Sequence, residues 1–232
     1  MRRPALVLTL STMLAVTAGL AAARSLTTTH PAADLELVAI EAGVGDVRVS
    51  GEDTDVVTVE VELKPRRGGL FSSMRTAERE VERAELVVDA DGRRLGLKVD
   101  SGSRGDRRFE ERWTVVVPAH LAAGLELGVG DVVVRGLAGG VEVELGVGDV
   151  DLRLEGGEVS VELGVGDATV RAPASSYAAV DSSSGVGDTL IQAPGERIGG
   201  SGLVGSSSRW EGPGSATLRV RIGVGDSRVT LD

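Results

Sequence analysis

Six aspartates recur in one setting. Gly-Val-Gly-Asp occurs six times, with its carboxylate at Asp46, Asp131, Asp149, Asp167, Asp188 and Asp226. From Asp131 the steps are 18, 18, 21 and 38 residues, and the last divides into 18 and 20 if Val204-Gly205-Ser206 is a worn copy with Ser206 in the Asp place. Carboxylates returning at fixed spacing can bind a cation, act in pairs on a glycosidic bond, or accept backbone N–H groups at a turn. Calcium asks for about six to eight oxygens. One motif carboxylate per 18 residues supplies too few, so no metal ligand is assigned. Asp149 with Asp151, or Asp167 with Glu162, has the residue types for hydrolysis or lysis of polysaccharide, but these carboxylates recur unit after unit where catalysis needs one unique cluster. Capping of a corner is the expected role.

Other chemistry is thin. The chain has no Cys, and its two His are His30 and His120; no nucleophile–base grouping or metal-spaced pair is visible, so no catalytic residue is assigned and no enzyme is expected. Gly200-Ser201-Gly202-Leu203-Val204-Gly205 matches a dinucleotide fingerprint as a string, but no βαβ unit surrounds it, so no cofactor is assigned. Arg104-Gly105-Asp106 copies an integrin-binding tripeptide, a match too short to carry an assignment. A net charge of −10 argues against nucleic acid as a partner.

Side-chain parity predicts the elements that carry the aspartates. Val141, Val143, Leu145 and Val147 alternate with Glu142, Glu144, Gly146 and Gly148, as in a strand with one face inward. After the motif the apolar positions are Val150, Leu152 and Leu154, so parity slips by one at a corner near Gly148-Asp149. This reading turns Val147 and its equivalents inward. Glu126, Glu144 and Glu162 form one outward column, and Arg135, Arg153 and Arg171 another. The expected fold is all-β, a parallel β-solenoid (single-stranded β-helix) of about 18–21 residues per coil. Residues 119–232 would hold the regular coils, and 35–118 an irregular first section with one short helix capped by Ser72 or Ser73. The last coil, ending at Asp232, is expected to be uncovered and open to self-association. Residues 1–23, with Arg2 and Arg3 before an apolar run and small residues at Ala21 and Ala23, read as a signal peptide rather than a retained anchor, followed by a linker at 24–34.

The passages "TAEREVERAELVV", "DGRRLGLKV" and "RWTVVVPAHLAAGLELGVGDVVVRGLAGGVEVELGVGDVDL" resemble the bacterial "putative adhesin" family, an exported domain with repeated Gly-Asp coils. The resemblance spans about residues 35–232 and implies a β-helical envelope or surface domain; it brings no catalytic residues. The expected function is that of a non-catalytic adhesin or scaffold module, placed in the periplasm, at the cell surface or outside the cell. A surface glycan or envelope protein is the expected partner. The other reading is a carbohydrate-active or cation-binding β-helix.

Overall fold

A computed structural model describes residues 23–66, 74–102, 108–201 and 205–232. Outside them lie residues 1–22 of the expected leader, Ser72 and Ser73, the Arg104-Gly105-Asp106 tripeptide, and Gly202 to Val204 of the fingerprint string and worn copy. Among the described residues no helix is long and apolar enough to cross a membrane.

Strand makes up 70% of the described residues, arranged as one mixed sheet wrapped nearly closed around a single core. The elements are β1 (Arg24–Pro31), β2 (Leu37–Glu52), β3 (Val56–Pro65), α1 (Met74–Arg83), β4 (Glu85–Asp91), β5 (Arg94–Asp100), β6 (Phe109–Pro118), β7 (Ala122–Val129) and β8 (Val132–Leu137). They continue with β9 (Val141–Val147), β10 (Val150–Leu154), β11 (Val159–Val165), β12 (Ala168–Ala172), β13 (Tyr177–Val186), β14 (Thr189–Ala193), β15 (Glu196–Gly200), β16 (Ser206–Glu211), β17 (Ala216–Val224) and β18 (Ser227–Leu231).

Two walls enclose the core. The front wall runs β4-β5-β2-β7-β9-β11-β17-β13-β16. The back wall runs β1-β3-β6-β2-β8-β10-β12-β18-β14-β15. Long β2 serves both, its first half pairing with β7 and its second with β8. Inward positions are aliphatic: Val143, Leu145 and Leu152 are all under 4% exposed. Each such side chain contributes about 1.5–3 kcal/mol by leaving water, and with so few aromatics these many small burials carry the fold.

Several expectations need correction. The fold is not a parallel β-solenoid, because β1–β3, β3–β6, β4–β5, β13–β16 and β14–β15 pair antiparallel. Alternation of period two fits either strand direction, so the pattern that located the strands could not orient them. The chain end is not an uncovered coil: β17 lies between β11 and β13, and β18 between β12 and β14. Ser206 does not head a parallel coil; it begins β16, antiparallel to β13. Residues 24–31 of the expected linker form β1, whose Arg24 donates to the carbonyls of Val81, Glu82 and Ala84 at 2.6–3.1 Å and so caps the carboxyl end of α1.

Val147 is also reassigned. With Val129, Val165, Val186 and Val224 it is 46–48% exposed rather than inward. Inward parity ends at Leu145 and resumes at Val150, so the corner occupies all four intervening residues.

Candidate functional site

The corner shows what Gly-Val-Gly-Asp does. Gly148 sits at φ +141°, and a Cβ there would overlap the carbonyl oxygen of Gly130 on the next strand; the six equivalent glycines all lie between +137° and +141°. Each corner therefore rests on the backbone of its neighbour, closer than any side chain permits.

The aspartates hand hydrogen bonds across the rungs. Asp149 N–H donates to Asp131 Oδ1 (3.2 Å), Asp167 N–H to Asp149 Oδ1 (3.0 Å), Asp226 N–H to Asp167 Oδ1 (2.8 Å) and Asp188 N–H to Asp226 Oδ1 (2.8 Å). Their carbonyls accept in turn, as where Val150 N–H donates to Asp167 O at 2.9 Å. Capping thus runs between neighbouring corners rather than within one. Above the first motif corner the place is taken by Glu111, only 1% exposed, whose carboxylate accepts Trp113 Nε1–H (2.8 Å) and Gly43 N–H (3.4 Å). The repeat count misses Glu111, since no motif surrounds it; a charged residue at the inward position between the aromatic Phe109 and Trp113 of "RFEERWTVVV" is its only trace in the sequence.

The predicted columns are in register. Glu41, Glu126, Glu144 and Glu162 pair successively along the front wall, flanked by Lys98 and Arg221. Arg135, Arg153 and Arg171 do so on the back wall. The carboxylates weighed for hydrolysis are placed apart in role. Asp151 pairs with Arg135 (3.3 Å) on the back wall, Glu162 with Arg221 (3.0 Å) on the front, and Asp149 and Asp167 serve the corners. His30 Nδ1 lies 2.7 Å from Pro31 O on β1, and exposed His120 follows β6. Among the described residues no group of three or more His, Cys, Asp or Glu is placed to hold a metal ion.

Two depressions mark the front wall. One, of about 360 Å³, is floored by Ala39, Gly96 and Gly124 and edged by Glu41, Glu126 and Lys98. The other, of about 760 Å³, is a trough along Gly128, Gly146 and Gly164 beside the glutamate row. Together they make a shallow face edged by the glutamate row.

No protein-family model matches the chain, and no curated protein matches it in sequence. Among solved structures it is similar to a "putative cell adhesion protein" from Clostridium sporogenes, at 19% identity and a TM-score of 0.56, over 89% of this chain and 99% of that one. A "putative adhesin" from Bacteroides fragilis aligns at 13% identity and a TM-score of 0.33, over 88% and 96%. A "putative lipid binding protein" from Parabacteroides distasonis aligns at 10% identity and a TM-score of 0.28, over 88% and 96%. The chain shares its fold with the Clostridium protein.

Proposed function

We propose that this protein is a non-catalytic, exported module of the bacterial envelope or cell surface that serves adhesion or scaffolding through its front wall. The observation that carries the reading is the repetition of outward rows. Glu41, Glu126, Glu144 and Glu162 recur one strand apart along a continuous face, which suits many weak contacts with an extended surface glycan or envelope protein. The basic start and apolar run of residues 1–23 support export. The shared fold with the Clostridium "putative cell adhesion protein" agrees with such a role. For the aspartates the ladder supports a structural role, since one oxygen of each of Asp131, Asp149, Asp167 and Asp226 accepts the N–H of the aspartate on the neighbouring rung.

Display of the protein on a non-adherent bacterium tests the reading, scored on glycan-coated and envelope-protein-coated surfaces. Adhesion above the undisplayed control, with no bond cleavage in recovered glycan, is expected. Adhesion equal to the control refutes it. A melting temperature that rises in millimolar calcium and falls in chelator would favour the cation-binding reading instead.

A further inference from the structure

The valine of each corner is a side chain that the interior does not use. Val44, Val129, Val147, Val165, Val224 and Val186 pair rung to rung in that order. The last five are 46–48% exposed, whereas Val143 and Val161 on the same strands are at 1% or less. Two other outward rows vary from strand to strand, Gly124, Glu142 and Ser160, and Val133, Asp151 and Thr169, and the glutamate row gives way to Arg221 on β17. The corner residue is Val every time. At a strand spacing of about 4.8 Å the six rungs form an aliphatic ridge about 24 Å long. Its area is on the order of a few hundred Å², the size at which exposed apolar surface marks an interaction site.

The borders of the ridge state what chemistry covers it. Along one side lies the glycine trough, with the glutamate row as its far bank. On the other runs the aspartate column, two residues beyond each valine. The aspartate bank carries a carboxylate at every rung, and the other bank at four of the six, giving way to Arg221 on β17 and Ser183 on β13. A second copy laid on the ridge would set carboxylate against carboxylate in a protein of net charge −10, and an anionic bilayer meets the same repulsion. Spacing then separates the remaining shapes. A strand lying along the ridge presents same-side residues every 6.8 Å or so, out of step with rungs about 4.8 Å apart. An α-helix presents its stripe once per turn, about 5.4 Å, and nearly keeps step.

We infer that the valine ridge docks an amphipathic, cationic α-helix of a partner protein, its apolar stripe on the valines and its Lys or Arg side chains over the two acidic banks. A segment of about 16 residues covers all six rungs. This rests on the adhesive or scaffolding reading and names the partner class.

The test is fluorescence anisotropy of a leucine–lysine peptide of about 18 residues with helical amphipathic spacing, titrated with the full chain. A scrambled peptide of the same composition is the control. Saturable binding, at least tenfold weaker for the scrambled peptide, is expected. Combining V129T, V147T and V165T keeps the β-branched shape while removing apolar surface; it is expected to weaken binding at least tenfold with the fold intact by circular dichroism. If that variant does not fold, E126Q, E144Q and E162Q together decide, with the same tenfold loss expected. No binding, equal binding of the scrambled peptide, or unchanged binding by the folded variant overturns the inference. Peptide binding without adhesion by the displayed protein refutes the adhesive reading alone; adhesion that survives both variant sets, with peptide binding unchanged, refutes the ridge alone.

Discussion

The middle of the molecule and its closing end are built from different interiors under the same corners. Between β7 and β12 the two walls are spaced by Leu and Val, represented by Leu145, Leu152 and Leu163. Where β13 and β16 meet β14 and β18, Val180, Ile191 and Val229 share the interior with Ser182, Ser184, Ser206, Ser208, Thr189 and Ser227, each at most 5% exposed. Hydroxyls there bridge wall to wall: Ser182 Oγ donates to Ser227 Oγ at 2.7 Å, and Thr189 Oγ1 meets Ser208 Oγ at 2.8 Å. Such contacts require the walls to approach to the span of two small side chains, so the interior tapers. Antiparallel β15 and β16 then close that end. The aspartate ladder crosses from one region to the other unchanged, with 3.0 Å at Asp149 and 2.8 Å at Asp226. Corner chemistry is therefore independent of core chemistry.

The largest effect that would break this comparison is expected from Gly148→Val. At φ +141° the new side chain meets the Gly130 backbone, and a loss of several kcal/mol, roughly 3 or more, should appear as failure to fold or a much lower urea midpoint. Next come the interiors themselves. Leu152→Ala should cost about 2–5 kcal/mol in denaturant unfolding, and Ser182→Ala about 1–3 kcal/mol by leaving the Ser227 hydroxyl without its partner. A serine deletion costing as much as the leucine deletion would mean that the end is not held as described.

Smaller effects sharpen the corner and the lone tyrosine. Asp149→Ala and Asp226→Ala should each cost about 1 kcal/mol, and equally, because each strands one backbone N–H; Asp149→Asn, which keeps an acceptor oxygen, should recover most of the loss. Tyr177, the one tyrosine of the chain, is buried with its hydroxyl lacking a hydrogen-bond partner among the described residues, and burial with the nearby Glu158 carboxylate pushes its pKa up to about 12. Because the folded state holds this proton more tightly than the unfolded chain, the stability is complete below pH 10 and falls between about pH 10 and 12, by up to about 1.4 kcal/mol per pH unit. Tyr177→Phe should flatten that decline while changing stability little at neutral pH; an absorbance titration midpoint near 10 would contradict the burial of the hydroxyl.

Local features of the fold were legible in the sequence, and its long-range order was not. Alternation placed Glu126, Glu144 and Glu162 on one outward row and Arg135, Arg153 and Arg171 on another, because period two fixes the face of a strand wherever one side is buried. The same alternation could not say which strand follows β11. Parity admits β13 and β17 equally; what separates them is volume. Leu218, Val220 and Ile222 continue the aliphatic interior of Val159, Val161 and Leu163, whereas β13 offers Val180, Ser182 and Ser184 and suits the taper. Parity carried two residues past Leu145 turns Val147 inward, whereas the corner begins at Gly146 and exposes it. Glu111 went unrecognised because its role depends on a corner contributed by β2, about 65 residues earlier in the chain.

Cysteine pairs along the valine ridge test the central claim, that the corners stack as one exposed column in the order Val129, Val147, Val165, Val224, Val186. The chain has no native Cys. Val165→Cys with Val224→Cys places partners on adjacent strands, within the Cα separation of roughly 4.4–6.8 Å that a disulfide spans, while Val165→Cys with Val186→Cys leaves a rung between them. Oxidation of the folded protein followed by peptide mapping should show an intramolecular link in the first pair and none in the second. A link between positions 165 and 186 in place of one between 165 and 224 would contradict the order, and with it the continuous ridge.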